Sequence, residues 1–195
     1  MRRRSRGWWA AAGALAAVVI AAPLAVAAPR DSPLADASEV DALARPAFRM
    51  PFRCGQVWTG SNWNGHSPAH SIDCNHYDAN GNPDDLGRVV LASAGGTVVS
   101  SHYSTTTGYG NTIVIDHGGG WRTRYAHLRS RGVGVGATVS RGQRIGTVGA
   151  TSAKYDLSPH LHYEQIHNGS VVVSVVQGVR WNDFLKRTQT SNNNC

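Results

Sequence analysis

Residues 88–176 form a series of short runs rich in Val, Ile, Thr and Tyr, each interrupted by a turn signal before it can lengthen. The runs are 88–92, 96–101, 112–116, 123–128, 138–140, 144–148, 160–166 and 171–176. Gly95-Gly96, Gly118-Gly119-Gly120, Arg141-Gly142 and Asn168-Gly169 punctuate them. β-branched and aromatic residues suit a pleated surface, and glycine-bearing pairs reverse the chain between strands. Asn168-Gly169, between Gln165-Ile166 and Val171-Val172, has the composition of a type I′ hairpin turn. No dozen residues after the leader repeat with helical period. The expectation is an all-β fold, with antiparallel sheets of short hairpin-connected strands forming a groove. At 195 residues one domain is expected, large enough for its own core.

The first residues read as an address. Arg2, Arg3, Arg4 and Arg6 precede an apolar, Ala-rich run over 8–26, which ends in Ala25-Val26-Ala27. Charged start, apolar centre and small-residue end are the layout of a secretory signal, here expected as a cleavable helix over 1–28. A membrane anchor is the competing reading of so long a run, and Pro23 with the A-x-A end favours cleavage. Residues 29–48 read as a linker or short pro-segment, 49–187 as the folded domain and 188–195 as a polar tail. The formal charge of +7 is concentrated in the leader. Without those four arginines, fifteen basic face twelve acidic side chains, a charge of +3 that gives no reason to expect nucleic acid. Three cysteines suit an oxidising compartment. A Cys54–Cys195 bridge is preferred to Cys54–Cys74, and Cys74 reads equally well as a small buried apolar residue.

Several familiar patterns are excluded. Gly132 to Ala137 spells G-x-G-x-x-A, but no strand–helix–strand unit surrounds it, so no dinucleotide site is expected. There is no G-x-S-x-G elbow and no H-E-x-x-H.

The histidines carry the chemistry. There are nine, against two glutamates, Glu39 and Glu164. In His160-Leu161-His162-Tyr163-Glu164, strand alternation places His160, His162 and Glu164 on one face and Leu161 and Tyr163 on the other. Two imidazoles two residues apart can divide a metal site between ligation and substrate contact. Upstream lie His66, His70 and Asp73, the last in an Ile72-Asp73-Cys74 run that reads as a strand with apolar neighbours. His127 closes the run Tyr125-Ala126-His127. Two imidazoles and a carboxylate are a donor set that suits zinc with one open position.

Five ordered blocks then carry a family resemblance: Ile72-Asp73, residues 110–118, Tyr125-Ala126-His127-Leu128, residues 139–149 and Pro159 to Glu164. Together they resemble the lysostaphin-like (LytM-type) zinc endopeptidases of peptidoglycan, over roughly residues 50–180. The resemblance implies one zinc ion per chain, held by Asp73, His162 and a first-motif histidine, with His127 and His160 catalytic. The family's H-x-G-x-D pattern would put that first histidine at 69, where this chain has Ala69, and Ser71 stands where the motif has glycine. His66 is preferred to His70, because a longer loop can return a side chain at little entropic cost. His70, three residues from Asp73, would project from the opposite face of a regular strand. The choice between the two stays open on sequence alone.

The function implied is a secreted, wall-associated endopeptidase cutting peptidoglycan stem peptides or cross-bridges. No nucleic acid partner and no stable membrane association after signal removal are expected, and the oligomeric state is left open. A zinc-free wall-binding or hydrolase-activating relative and a general secreted metalloprotease are the alternatives. Asn111 and Tyr109 are possible groove residues, Tyr109 being read first as a turn that starts a strand. Trp63, beside His66, is a weaker substrate-contact candidate. His76, His102, His117 and His167 are read as structural.

Overall fold

Short β-branched runs separated by glycine turns fold here as sheets throughout. The computed structural model describes residues 44–195. The expected signal helix and most of the 29–48 segment lie outside them. In chain order the strands are β1 (Val57–Ser61), β2 (Ile72–Asn75), β3 (Val89–Leu91), β4 (Gly96–Ser104), β5 (Gly110–Gly118), β6 (Trp121–Ala126) and β7 (Ser130–Arg131). They continue as β8 (Thr138–Val139), β9 (Arg144–Thr147), β10 (Leu161–His167), β11 (Ser170–Val172), β12 (Val175–Val176), β13 (Val179–Arg180) and β14 (Lys186–Thr190).

The main sheet has the order β14-β1-β2-β10-β6-β5-β4-β8, with β11 also paired to β10. A three-stranded sheet β3-β9-β7 and the ribbon β12-β13 complete the fold. All these pairings are antiparallel. The β10–β11 hairpin turns through Asn168 and Gly169 at φ 49° and 84°, the left-handed pair a type I′ turn requires.

The core lies where the two larger sheets meet. Trp58, Ile113, Ile115, Tyr125, Leu161 and Tyr163 of the main sheet join Val90 and Ile145 of the small one in a single buried cluster. Leu161 and Tyr163 face this core, as alternation along β10 predicts. Phe52 and Trp58 stack with ring centroids 3.5 Å apart. At Gly60 of β1 the backbone passes under Trp181, where a Cβ would come within 2.0 Å of the indole.

The chain ends depart from the sequence reading. Phe48, placed in the linker, is buried against Trp121, and Arg45 donates to the Gln165 side chain and the Val173 carbonyl. Residues 186–190 form the edge strand β14 on β1, so the sheet crosses the expected division between domain and tail at 187/188. Ser191 donates to the Phe52 carbonyl, and Asn193 to the Met50 and Ala92 carbonyls. These residues are polar because they satisfy buried backbone acceptors, which composition alone reads as a solvated tail. The 171–176 run is also split, since the chain leaves β11 before pairing again as β12.

Cys54 and Cys195 form a disulfide across 141 residues, and Cys74 is a buried free thiol. Burial, with Asp73 and Asp85 nearby, pushes the Cys74 thiol well above its ordinary range, so it stays protonated and unreactive. A loop this long gives the bridge a large entropic effect on the unfolded chain, about 2–5 kcal/mol. The Cys54→Ser/Cys195→Ser double variant is expected to lose stability of that order in urea unfolding. Iodoacetamide should label Cys74 of the native wild type only once the protein unfolds.

Candidate metal centre

Sheet register assembles the centre. Asp73 of β2 lies opposite Ser61 of β1 on one side and His162 of β10 on the other. His162 in turn lies opposite Ala126 of β6. Directly opposed residues project to the same face, so the carboxylate and the imidazole meet without any loop intervening. Their contact is 3.0 Å, from His162 Nδ1 to Asp73 Oδ1.

The third member arrives by loop. The segment between β1 and β2 folds back so that His66 Nε2 lies 2.9 Å from Asp73 Oδ2. Asn62 closes the base of this loop by donating through Nδ2 to the Ser71 carbonyl. Ser71 donates its hydroxyl proton to the Pro68 carbonyl, which leaves its oxygen to accept from His66 Nδ1 at 2.7 Å. That chain of bonds fixes the His66 ring with Nε2 toward the carboxylate. His70 is not part of the cluster. It sits at φ 69°, outside strand geometry, and pairs through Nδ1 with Asp183 at 2.6 Å.

The donor atoms of His66, Asp73 and His162 lie within 4.8 Å of one another. Their side chains are 5%, 11% and 4% exposed, which removes most competing water. Two imidazole nitrogens and a carboxylate oxygen converging in a nearly dry pocket fit one zinc ion per chain, with a fourth position left for water or substrate.

Charges here are strongly coupled. Burial alone would raise the Asp73 carboxyl, but hydrogen bonds from His162 and His66 outweigh it and hold the group far below the usual carboxylate range. Burial likewise opposes charge on His162, yet its bonds to Asp73 and Glu164 carry its metal-free pKa up to about 9. His127 moves the other way. Burial, then electrostatic interaction with the neighbouring His160 and His162, lowers it to about 4, so it is neutral near pH 7.

His127 and His160 stand beside the cluster. His127 takes φ 58°, which ends β6 at Ala126 and shortens the run expected to reach Leu128. Its Nδ1 lies 3.0 Å from the Thr151 carbonyl, and His160 Nδ1 lies 2.8 Å from the Ser158 carbonyl. A carbonyl only accepts, so both Nδ1 atoms carry protons and both Nε2 atoms keep free lone pairs in the neutral rings. His160 Nε2 is 3.7 Å from Asp73 Oδ1, and the two ring centroids are 4.7 Å apart. All five site residues expected from sequence therefore gather in one place.

Two neighbours exceed their sequence reading. Glu164, one alternation beyond His162, is fully buried and accepts from His162 Nε2 at 3.0 Å. Tyr109, read as a turn residue, donates its hydroxyl to Glu164 at 2.6 Å and packs 5.5 Å from the His162 ring. The H-x-H-x-E alternation contained the signal for Glu164, whereas nothing local to Gly108-Tyr109-Gly110 marks the tyrosine. Trp63 packs edge-on against His66 at 4.3 Å and remains 52% exposed.

Known proteins resemble this chain in sequence and fold. Residues 81–174 match the family model described as Peptidase family M23. The peptidoglycan DD-endopeptidase ShyA of Vibrio cholerae is 44% identical over 87 residues, 45% of this chain and 19% of that protein. A crystal structure of a zinc containing peptidase from Vibrio cholerae superposes with a TM-score of 0.51 at 29% identity, covering 65% of this chain and 38% of that one. The antimicrobial peptidase lysostaphin from Staphylococcus simulans does so with a TM-score of 0.51 at 25% identity, covering 71% and 52%. Over residues 81–174 the chain is similar to the M23 peptidase family. It spans about a fifth or less of the length of the curated relatives it matches. The matched segment includes His127, His160 and His162 but begins after His66 and Asp73, so those two ligand candidates rest on geometry.

A neutral His162 is needed to bind metal, and the metal-free ring holds its extra proton up to about pH 9. Zinc uptake at pH 7 should therefore release close to one proton from this residue, read by calorimetry in buffers of different ionisation enthalpy. Apparent affinity should climb through the interval from pH 7 to 9. The metal-free fold runs the opposite way: a raised histidine pKa gives stability that is complete below about 6.5 and lost as pH passes about 9. Metal analysis should find one zinc per wild-type and His70→Ala chain, and far less in His66→Ala.

Proposed function

We propose that this chain is a secreted zinc-dependent endopeptidase that hydrolyses peptide bonds in peptidoglycan stem peptides or cross-bridges. His66, Asp73 and His162 hold the metal in this reading, and His127 and His160 are the catalytic pair. The observation that carries it is two imidazoles, each anchored through Nδ1 to a backbone carbonyl, beside a three-donor centre. ShyA, named as a peptidoglycan DD-endopeptidase, supports the choice of substrate. The return of His66 to Asp73 favours a catalytic protein over a zinc-free relative.

Bound zinc supplies Lewis acidity, which polarises the scissile carbonyl and brings water's pKa towards ~7. The side chains then handle protons. His127, kept neutral chiefly by burial, accepts a hydrogen bond at Nε2 and orients the attacking water. His160 takes the proton at its own Nε2, where Asp73 Oδ1 at 3.7 Å steadies the resulting imidazolium. The same Nε2–H then delivers that proton to the departing amine nitrogen, so one proton leaves water and one reaches the new amino terminus. The exposed face of Trp63 borders the pocket on the His66 side and meets substrate there.

Export follows from the 1–28 leader, with cleavage after Ala27 or Ala28, and the Cys54–Cys195 bridge suits an oxidising compartment. Residues 49–187 hold the catalytic domain, with the 188–190 strand and the disulfide completing it. No helix among the described residues is long and apolar enough to cross a membrane. Wall peptidoglycan is the partner, with no role for nucleic acid.

The chain from Ala28 onward, incubated with purified peptidoglycan, should expose new peptide amino termini detectable by mass spectrometry, and a zinc chelator should abolish them. A folded, zinc-loaded protein that releases nothing would refute the substrate. His127→Ala and His160→Ala should each keep one zinc and lose about 10²–10⁴ in rate.

A further inference from the structure

Glu164 holds no place in the proposed reaction, yet it is one of the most completely enclosed charges among the described residues, at 0% exposure. Three donors converge on it. Tyr109 Oη donates to Oε1 at 2.6 Å, His162 Nε2 to Oε1 at 3.0 Å and Arg124 Nε to Oε2 at 2.9 Å. Arg124 is the cross-strand partner of Glu164, on β6, and its guanidinium lies 4.3 Å over the Tyr109 ring. Tyr109 also accepts from the His127 backbone N–H through its own carbonyl, at 2.9 Å.

As a stability device this arrangement is poor. A buried Arg–Glu pair gains little over apolar residues of the same volume, because desolvation offsets its attraction. Its placement has a second consequence, however. A carboxylate only accepts, so the ring nitrogen facing Glu164 must carry the proton. Nδ1, 3.0 Å from the Asp73 carboxylate, carries a proton by the same rule in the metal-free ring, and that is the proton a metal shared with Asp73 would replace, leaving the ligating lone pair on Nδ1.

On the reading that His162 is a metal ligand, we propose that Glu164, braced by Arg124 and Tyr109, is a positioning residue that holds the His162 ring in the Nε2–H form with Nδ1 aimed at the metal. Strand alternation makes this a fixed device: residues 162 and 164 share a face, so the orienting group travels with the ligand on one rigid element. Arg124 cancels the carboxylate's charge locally, and the effect on the metal is orientation more than added attraction. Tyr109 closes the third side of the carboxylate and packs on the His162 ring, which prevents a ring flip.

The test compares zinc affinity by chelator competition in wild type, Glu164→Leu, Glu164→Gln and Tyr109→Phe, each first shown to be folded without metal. Glu164→Leu should bind zinc about 10–100-fold more weakly. Glu164→Gln, whose amide oxygen still accepts from Nε2–H, should recover most of that loss, and Tyr109→Phe should fall between it and Glu164→Leu. A purely structural role would lower melting temperature in Glu164→Leu while leaving zinc affinity untouched, and that result overturns the proposal. Should Glu164→Leu fail to fold, side-chain ¹H–¹⁵N spectra of the zinc-loaded wild type decide instead. A proton on His162 Nε2 supports the assignment, and a proton on Nδ1 defeats it. Failure of the peptidase reading has a separate signature: zinc-loaded wild type that leaves peptidoglycan uncut, whatever the affinities of the variants.

Discussion

The pairing of β2 with β10 sets Asp73 opposite His162, and everything chemical in this molecule is arranged around that one cross-strand contact. On a sheet with an apolar core beneath it, register is not free to slip. A shift of one residue would bring Leu161 and Tyr163 out of the core and push His162 and Glu164 into it. The burial of Leu161, Tyr163 and Ile72 therefore defends the geometry of the metal centre as strongly as it defends the fold. Precision at the metal centre comes from the hydrophobic face of the same strand that carries His162 on its other face.

The two halves of the site are built on different principles. Asp73, His162 and Glu164 sit on strands near the middle of the main sheet, Asp73 and His162 paired on both sides and Glu164 with Arg124. His66, His127 and His160 come from loops or strand ends and are fixed by hydrogen bonds to backbone carbonyls or to Ser71. Each loop histidine gives its Nδ1 proton to such a partner and offers Nε2 inward. His162 does the reverse, because its Nε2 is engaged by Glu164. Two opposite ring orientations thus meet at one carboxylate, and a single ion can be reached from both sides.

What could be read in the sequence follows from this division. Strand alternation alone placed His160, His162 and Glu164 together and faced Leu161 and Tyr163 to the core, because period two is fixed by backbone geometry. Hairpins with Asn-Gly or glycine turns were equally plain. The loop histidines were harder. Choosing His66 required the argument that His70 would face away, but the actual reason for its exclusion is a left-handed residue engaged with Asp183, which no spacing rule reveals. His127 ends its strand in the same left-handed region, invisible in a run of Tyr, Ala, His and Leu. Tyr109 acts across 55 residues of sequence, and residues 188–190 of β14 read as the start of a polar tail because their side chains line a sheet edge.

The displaced first histidine shows how such a centre tolerates change. The matched family segment begins at residue 81, after both His66 and Asp73, and upstream of it this chain has Ala69 and Ser71 in place of the motif's His and Gly. A strand-borne ligand cannot move by three residues, since each step flips its face. A loop-borne ligand can, provided that the loop's base is pinned and its ring is aimed. Asn62 provides the pin by bonding to Ser71, and the Ser71 hydroxyl provides the aim. A residue standing where the motif has glycine therefore replaces, by a hydrogen bond, the orientation that shorter spacing would have supplied. Loop closure entropy grows only slowly with length, so the longer excursion is cheap once those two bonds exist. Variation is thus confined to the ligand that loops can deliver, while the Asp73–His162 pair stays where the sheet puts it.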